Sequence, residues 1–121
     1  MKITVDRMSV AAGDDADPHG VTVDVPPDRP LAEVVGGLLE RRYLATIAGG
    51  RATWILVTGT RPLAVVAQQW DEPRYLVDPA RPIGSFGADG GGVSLLFRYW
   101  MQQDPDHVFT ELAAGREPPR R

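Results

Sequence analysis

Hydrophobic and polar residues alternate in two short stretches near the start of the chain. Residues 1–10 alternate with one change of phase near Asp6, which is the pattern of a β-strand that contains a bulge. Residues 21–25 read Val-Thr-Val-Asp-Val, the alternation of a half-buried antiparallel strand. The stretch between them, residues 11–20, is polar and rich in turn-forming residues. The pattern therefore predicts an opening β-hairpin.

Hydrophobic positions three and four apart predict a helix over residues 28–44. Asp28 is placed to cap it, and Pro30 is tolerated in the first turn. Gly36 and Gly37 lie in its interior, where each costs about 1 kcal/mol relative to alanine. That cost is acceptable if the glycines let the helix lie close on a sheet, and the alternative is a weakened or kinked helix. The stripe expected to face the core is Leu31, Val34, Val35, Leu38 and Leu39.

The middle of the chain contains two strongly hydrophobic stretches, residues 52–58 and 62–70. A glycine-containing turn separates them, so they predict a second hairpin. A short hydrophobic run at 74–77 follows. Residues 78–92 then form a long irregular loop, with a single turn near Ile83–Phe86.

The last and longest predicted strand covers residues 93–102, and a compact helix over 104–115 follows it. Asp104 is placed as the cap of this helix, Pro105 suits its first position, and Gly115 ends it. The final residues, 116–121, are expected to be a disordered tail. One face of the strand carries Val93, Leu95, Phe97, Tyr99 and Met101, and the other carries Leu96, Arg98 and Trp100.

The order of these elements predicts an α+β domain, a mixed sheet of about five strands with one main helix packed on it. The opening hairpin, the single long helix and the late hydrophobic strand resemble the ubiquitin-like β-grasp superfamily. Ile83 and Phe86 lie where that family usually has a leucine and an aromatic residue before its final strand. The resemblance implies that the first and last strands are parallel neighbours. It rests on the segments MKITV, VTVDVPPDRPLAEVVGGLLE and PIGSFGADGGGVSLLF.

The predicted organisation is a β-grasp-like domain over residues 1–103, with the helix at 104–115 packed on it and the tail at 116–121. The side chains that we expect to be buried together are Val21, Val23, Val25, Leu31, Val35, Leu38, Ile55 and Leu95.

Composition narrows the function classes for this chain of 121 residues. It contains no cysteine, which excludes disulfides, thiolate metal sites and a cysteine nucleophile. The formal net charge of −3 argues against nucleic-acid binding, which favours a basic surface. No stretch approaches the ~20 apolar residues of a membrane-spanning helix, so we expect a cytoplasmic protein without membrane insertion.

Two histidines, each beside aspartates, are the only candidates for metal chemistry. Residues 14–19 contain three aspartates and His19, and residues 104–107 contain two aspartates and His107. If the first and last strands are parallel neighbours, the two clusters follow them at the same end of the sheet and can converge. Imidazole with carboxylate suits zinc or iron, and the alternative is two solvated turns that never meet. The candidate metal ligands are Asp17, His19, Asp106 and His107.

The chain has no recognisable catalytic motif: there is no nucleophile elbow, phosphate-binding GKS/T loop or HExxH sequence. We therefore predict no catalytic residue and no cofactor, and the preferred interpretation is a non-catalytic protein-interaction module. Such a module serves as an adaptor, a regulatory subunit or a neutralising partner. A small metal-dependent enzyme that uses the two histidine clusters is the alternative.

Tryptophan and arginine side chains mark the expected contact surface, either a sheet face or the 73–92 loop. The expected partner is another protein, with a second copy of this chain as one option, and the acidic balance favours a basic partner. For Trp100 the competing interpretation is burial beneath the C-terminal helix. The predicted partner-binding residues are Trp70, Arg74, Tyr75, Arg81, Leu96, Arg98 and Trp100.

Overall fold

The computed structural model contains one six-stranded mixed sheet with a helix on each face. It describes residues 1–8, 20–41, 43–44, 50–87 and 92–119. The strands are β1 (Lys2–Arg7), β2 (Val21–Asp24), β3 (Thr53–Thr58), β4 (Arg61–Ala67), β5 (Arg74–Tyr75) and β6 (Val93–Tyr99). The helices are α1 (Leu31–Glu40) and α2 (Pro105–Ala113), and a short 3₁₀ turn covers Ile83–Phe86.

The strand order in the sheet is β2-β1-β6-β3-β4-β5. β1 and β6 run parallel, from the pair Ile3–Val93 to the pair Arg7–Phe97. All other neighbouring strands are antiparallel. The expected α+β class is confirmed, and the sheet has one strand more than the expected five because the short run after Pro73 pairs with β4.

α1 covers one face of the sheet with the predicted stripe. Leu31, Val35 and Leu38 are buried in the same cluster as Leu95 of β6, as expected. Val21 was also expected in this core, and that prediction is wrong, since 41% of its surface is exposed in β2 at the edge of the sheet. Val23 and Val25 were expected to be buried, but they are only partly buried against this cluster. The buried residues of the cluster are Ile3, Val5, Leu31, Val34, Val35, Leu38, Ala52, Trp54, Leu56, Leu63, Ala64, Val66, Ile83, Val93, Leu95, Phe97 and Tyr99.

Ile55 was expected in that core, and this prediction is wrong. It packs on the opposite face of the sheet, in a second cluster with Trp100, which directly follows β6, and with Val108 of α2. Every residue of β3 from Thr53 to Val57 is buried, because this central strand is covered by helices on both faces. A strand that is hydrophobic at every position does not reveal from its pattern which side chain faces which layer.

The N-terminus of α1 is capped by tertiary contacts rather than by Asp28. The residue before the helix is Pro30, and no side chain caps it. The amide of Leu31 donates a hydrogen bond to the carbonyl of Arg81 at 3.0 Å, and the amide of Ala32 donates to that of Pro79 at 3.0 Å. Backbone carbonyls of the loop after β5 therefore accept hydrogen bonds from the first amides of α1, which is the role that an N-cap side chain has in other helices.

The loop that holds these carbonyls is fixed against the entry to α1. The amide of Gly84 donates a hydrogen bond to the carbonyl of Pro27 at 2.8 Å. A Cβ atom at Gly84 would lie 2.9 Å from the Cβ of Pro27, so this approach requires glycine. Part of the loop that we expected to be an exposed contact surface is thus packed against the N-terminal end of α1.

Gly36 and Gly37 do not serve the close approach to the sheet that we expected. Among the residues that the structure describes, nothing lies within 4 Å of a Cβ atom built at either position, so neither glycine is needed for a close contact there. The helix continues through them from Leu31 to Glu40. Their cost in helix stability is therefore not repaid by packing.

Replacing Gly36 or Gly37 with alanine is expected to stabilise the protein by about 0.5–1 kcal/mol per substitution, because alanine loses less backbone entropy in a helix. Urea unfolding followed by circular dichroism measures the change. Gly84→Ala is the opposite control, since its new Cβ collides with Pro27 and should destabilise the fold. Loss of stability in both α1 variants would mean that the helix needs glycine there.

α2 has the predicted local signals and covers the second face. The carboxylate of Asp104 accepts a hydrogen bond from the amide of Asp106 at 3.1 Å, and Pro105 occupies the first turn. Gly115 follows the helix with a φ of 83°, a left-handed conformation that suits glycine at a helix end. Val108 is fully buried, and Phe109 and Leu112 pack on the same cluster.

Residues 116–119 were expected to be disordered, but they contact the domain. Pro118 is buried, and the side-chain amide of Gln103 donates a hydrogen bond to the carbonyl of Pro119 at 2.8 Å. Residues 120 and 121 lie outside the described residues. Neither described helix is long and apolar enough to cross a membrane.

Candidate interaction groove

Trp70 and Arg74 form a stack that joins the sheet edge to α2. The guanidinium carbon of Arg74 lies 4.9 Å from the centre of the Trp70 ring and 5.8 Å from that of Phe109. Its Nη1 atom is 3.0 Å from Oδ1 of Asp106. Arg74 faces this side of the sheet because it pairs with Val65, whose side chain belongs to the α2 cluster. The structure thus brings two of the predicted contact residues together.

Tyr75 points to the opposite side of the same strand. It pairs with Ala64 and packs against the α1 cluster. Burial of its ring raises the pKa of the Tyr75 hydroxyl, and the negative charge of Glu72 raises it further. β5 therefore presents Arg74 to one helix layer and Tyr75 to the other.

Arg81 lies apart from these residues, in the loop beside α1. Its guanidinium carbon is 4.5 Å from the centre of the Phe86 ring, and its Nε donates a hydrogen bond to Oγ of Ser85 at 2.9 Å. These partners of Arg81 belong to the same loop. The contacts stabilise the part of the loop whose carbonyls cap α1.

The last three predicted contact residues lie on the sheet face that α2 covers. Trp100 is 3% exposed and packs with Val108, and Leu96 is partly buried against the same cluster. Arg98 stacks on the Trp100 ring at 4.7 Å, and its Nη1 is 2.8 Å from Oε1 of Glu117. Of the two interpretations of Trp100, the structure therefore shows burial beneath α2.

The candidate metal ligands do not form a site within the described ranges. Asp17 and His19 lie outside the described residues. Asp106 is paired with Arg74, and Nε2 of His107 is 3.9 Å from Oε1 of Glu111. Among the residues that the structure describes, no three His, Cys, Asp or Glu side chains are grouped to hold a metal ion. Convergence of the two histidine clusters stays a prediction.

The structure reveals a groove that the sequence patterns did not predict, between α1 and the segment that joins β4 to β5. It consists of two cavities of about 290 and 620 Å³, which share Leu39, Asp71, Glu72 and Pro73 in their linings. We call the two together the acidic groove. Its hydrophobic walls include Leu39, Trp54, Trp70, Pro73, Tyr75 and Pro79.

Three exposed carboxylates border the acidic groove: Glu40, Asp71 and Glu72. In the part of the chain that the structure describes, none of them forms an ion pair. No lysine, arginine or histidine is among the described residues that line either cavity. The groove thus combines a hydrophobic wall with negative charge that has no partner within the described chain.

Local backbone contacts place this segment opposite the helix. The amide of Gln68 donates a hydrogen bond to the carbonyl of Ala52 at 2.8 Å, which extends the pairing beyond the end of β4. The amide of Trp70 then donates to the carbonyl of Ala67 at 3.1 Å, which turns the chain. An acidic pair between a tryptophan and a proline was visible in the sequence. The position of α1 across from it was not.

A comparison with protein-family models, with curated proteins and with solved structures finds no significant match to this chain. The function is therefore inferred from the chemistry of the acidic groove. Apart from the Tyr75 hydroxyl, its described lining contains no hydroxyl, thiol or imidazole group. Aromatic walls with a few charged groups suit the binding of a side chain or short segment.

Proposed function

We propose that the protein is a non-catalytic interaction module that binds another protein through the acidic groove. The observation that carries this proposal is a single groove with aromatic and proline walls bordered by three exposed carboxylates. The roles that we propose for such a module are those of an adaptor, a regulatory subunit or a neutralising partner of another protein. A cytoplasmic location stays a prediction.

The amino acids of the groove are those that contribute most to protein interfaces. Tryptophan and tyrosine bury a large area at little cost in side-chain entropy, and they are enriched among the residues that dominate binding energy. Trp70 and Tyr75, both predicted as contact residues, border it. Trp54 lines the smaller cavity and is 2% exposed.

A ubiquitin-like β-grasp arrangement of the fold is part of the proposal. It is supported by the opening hairpin, by α1 on one face of the sheet, and by the parallel pairing of β1 with β6. The β4–β5 connection and α2 are then additions to that arrangement. The acidic groove is formed by the first of these additions, so its function belongs to this chain rather than to the general fold.

The two glycines of α1 supply a matched pair of variants to test the proposal. Gly36 lines the acidic groove, whereas Gly37 lines a separate depression beside Val23 and Arg29. With respect to the described residues, both positions have space for a side chain, and neither glycine has a positive φ. Gly36→Arg is expected to fill the groove, and Gly37→Arg adds the same charge and bulk to the same helix outside it.

We expect Gly36→Arg to weaken binding of the protein's partner at least tenfold, with Gly37→Arg close to wild type. Affinity purification with quantitative mass spectrometry identifies proteins retained by wild type and by Gly37→Arg but lost with Gly36→Arg. Titration of the purified partner then gives the three dissociation constants, and circular dichroism checks that both variants are folded. Equal binding by the two variants would refute the groove as the contact surface.

A further inference from the structure

We infer that the acidic groove recognises a basic peptide segment of the partner, with one arginine or lysine side chain in the cavity bordered by Trp54 and Trp70. This inference rests on the proposed function, since it specifies which kind of protein surface occupies the groove. The inference depends on the charge of the groove as well as on its shape, and the experiment below tests the contribution of charge separately.

Charge complementarity is the first support. Asp71 and Glu72 lie on the wall shared by both cavities, and Glu40 borders the larger one. Within the described chain these carboxylates have no cationic partner. An incoming cation therefore gains their attraction without first displacing an ion pair, while an acidic segment or a nucleic acid is repelled.

The aromatic wall is the second support. Indole rings attract cations, and the guanidinium carbon of Arg74 already lies 4.9 Å from the centre of the Trp70 ring. Arg74 is directed toward Asp106 and α2, so its charge is compensated there and not in the groove. The same ring borders the smaller cavity, where a second cation would lie beside Asp71 and Glu72.

The size of the cavity is the third support. Its volume of about 290 Å³ equals that of roughly ten water molecules in the liquid, which accommodates one long side chain. The methylene groups of lysine or arginine pack on hydrophobic walls while the charged end stays with the carboxylates. Leu39 and Pro73 supply those walls, and they lie in both cavities.

A pair of peptides tests the inference. The probes are a blocked hexapeptide with two arginines between leucine and proline residues, and the same hexapeptide with citrulline in place of arginine. Citrulline keeps the length and most hydrogen-bonding capacity but removes the positive charge. We expect the arginine peptide to bind at least tenfold more tightly at low salt, and to lose affinity as sodium chloride is raised. In nuclear magnetic resonance spectra, the largest changes in backbone amide chemical shift on peptide binding should occur at Leu39 and within residues 70–75.

Carboxylate variants complete the experiment. Asp71→Asn/Glu72→Gln should lower affinity for the arginine peptide at least tenfold, and Glu72→Gln alone should lower it measurably. Asp28→Asn removes an equal single charge at an exposed position outside the groove and should leave the affinity unchanged. Equal binding of the arginine and citrulline peptides, or shifts centred elsewhere, would overturn the inference. Loss of the partner with Gly36→Arg in that case would leave the proposed function intact.

Discussion

Replacing Trp100 with alanine is expected to lower the free energy of unfolding by roughly 3–5 kcal/mol, the range for large-to-alanine changes at well-packed sites. Trp100 is 3% exposed between the sheet and α2, and it packs with Ile55, Val65 and Val108. The substitution leaves a cavity that these neighbours fill only in part. Urea unfolding followed by far-ultraviolet circular dichroism measures the loss.

Trp100→Phe is the matched control for that experiment. The Nε1 atom of Trp100 is buried and has no hydrogen-bond partner within the described structure. Phenylalanine therefore removes an unsatisfied donor while it keeps a large aromatic side chain, and it should cost much less than alanine. An alanine variant as stable as wild type would contradict burial of Trp100 beneath α2.

Ending the chain after Gln103 is expected to abolish the stable monomer. α2 buries Val108 completely and Phe109 and Leu112 in part, and at roughly 1.5–3 kcal/mol for a fully buried side chain their loss approaches the whole stability of a small domain. The hydrophobic face left behind consists of Ile55, Val57, Val65 and Trp100. Size-exclusion chromatography and thermal melting should show aggregation or a strongly lowered Tm.

Two further variants show whether stability depends on the hydrophobic packing of α2 or only on the presence of residues 104–121. Val108→Asp keeps α2 but places a charge in its buried position, and it should reproduce much of the damage. Thr110→Ala alters an exposed position of the same helix and should have little effect on Tm. If the shortened chain were monomeric with a normal Tm, the second cluster would not be part of the core.

The local signals in the sequence predicted most elements correctly, because each depends on residues close together in the chain. Asp104, Pro105 and Gly115 mark the ends of α2, and the structure places them there. The alternation over residues 93–102 assigned Leu95 and Phe97 to one face and Trp100 to the other, as observed. Alternation determines relative orientation along a strand whatever the strand is packed against.

Tertiary contacts decided what these patterns leave open. β3 is hydrophobic at successive positions, so only the presence of two helix layers assigned Ile55 to the face opposite Leu95. Asp28 looked like a cap, but the carbonyls of Pro79 and Arg81 satisfy the first amides of α1. Those carbonyls lie some fifty residues further along the chain, beyond the reach of any local signal.

The acidic groove likewise combines features that the sequence determines with features that only the tertiary structure determines. The sequence by itself determined that Trp70, Asp71, Glu72 and Pro73 stand together in a turn-rich segment, and it determined the hydrophobic stripe of α1. Only the tertiary structure placed Leu39 across from that segment and left the carboxylates without a cation in the described chain. A binding surface depends on how two distant elements are juxtaposed, and the packing of both on the sheet sets that distance. Charge and residue type are properties of the sequence, whereas a cavity exists only between packed elements.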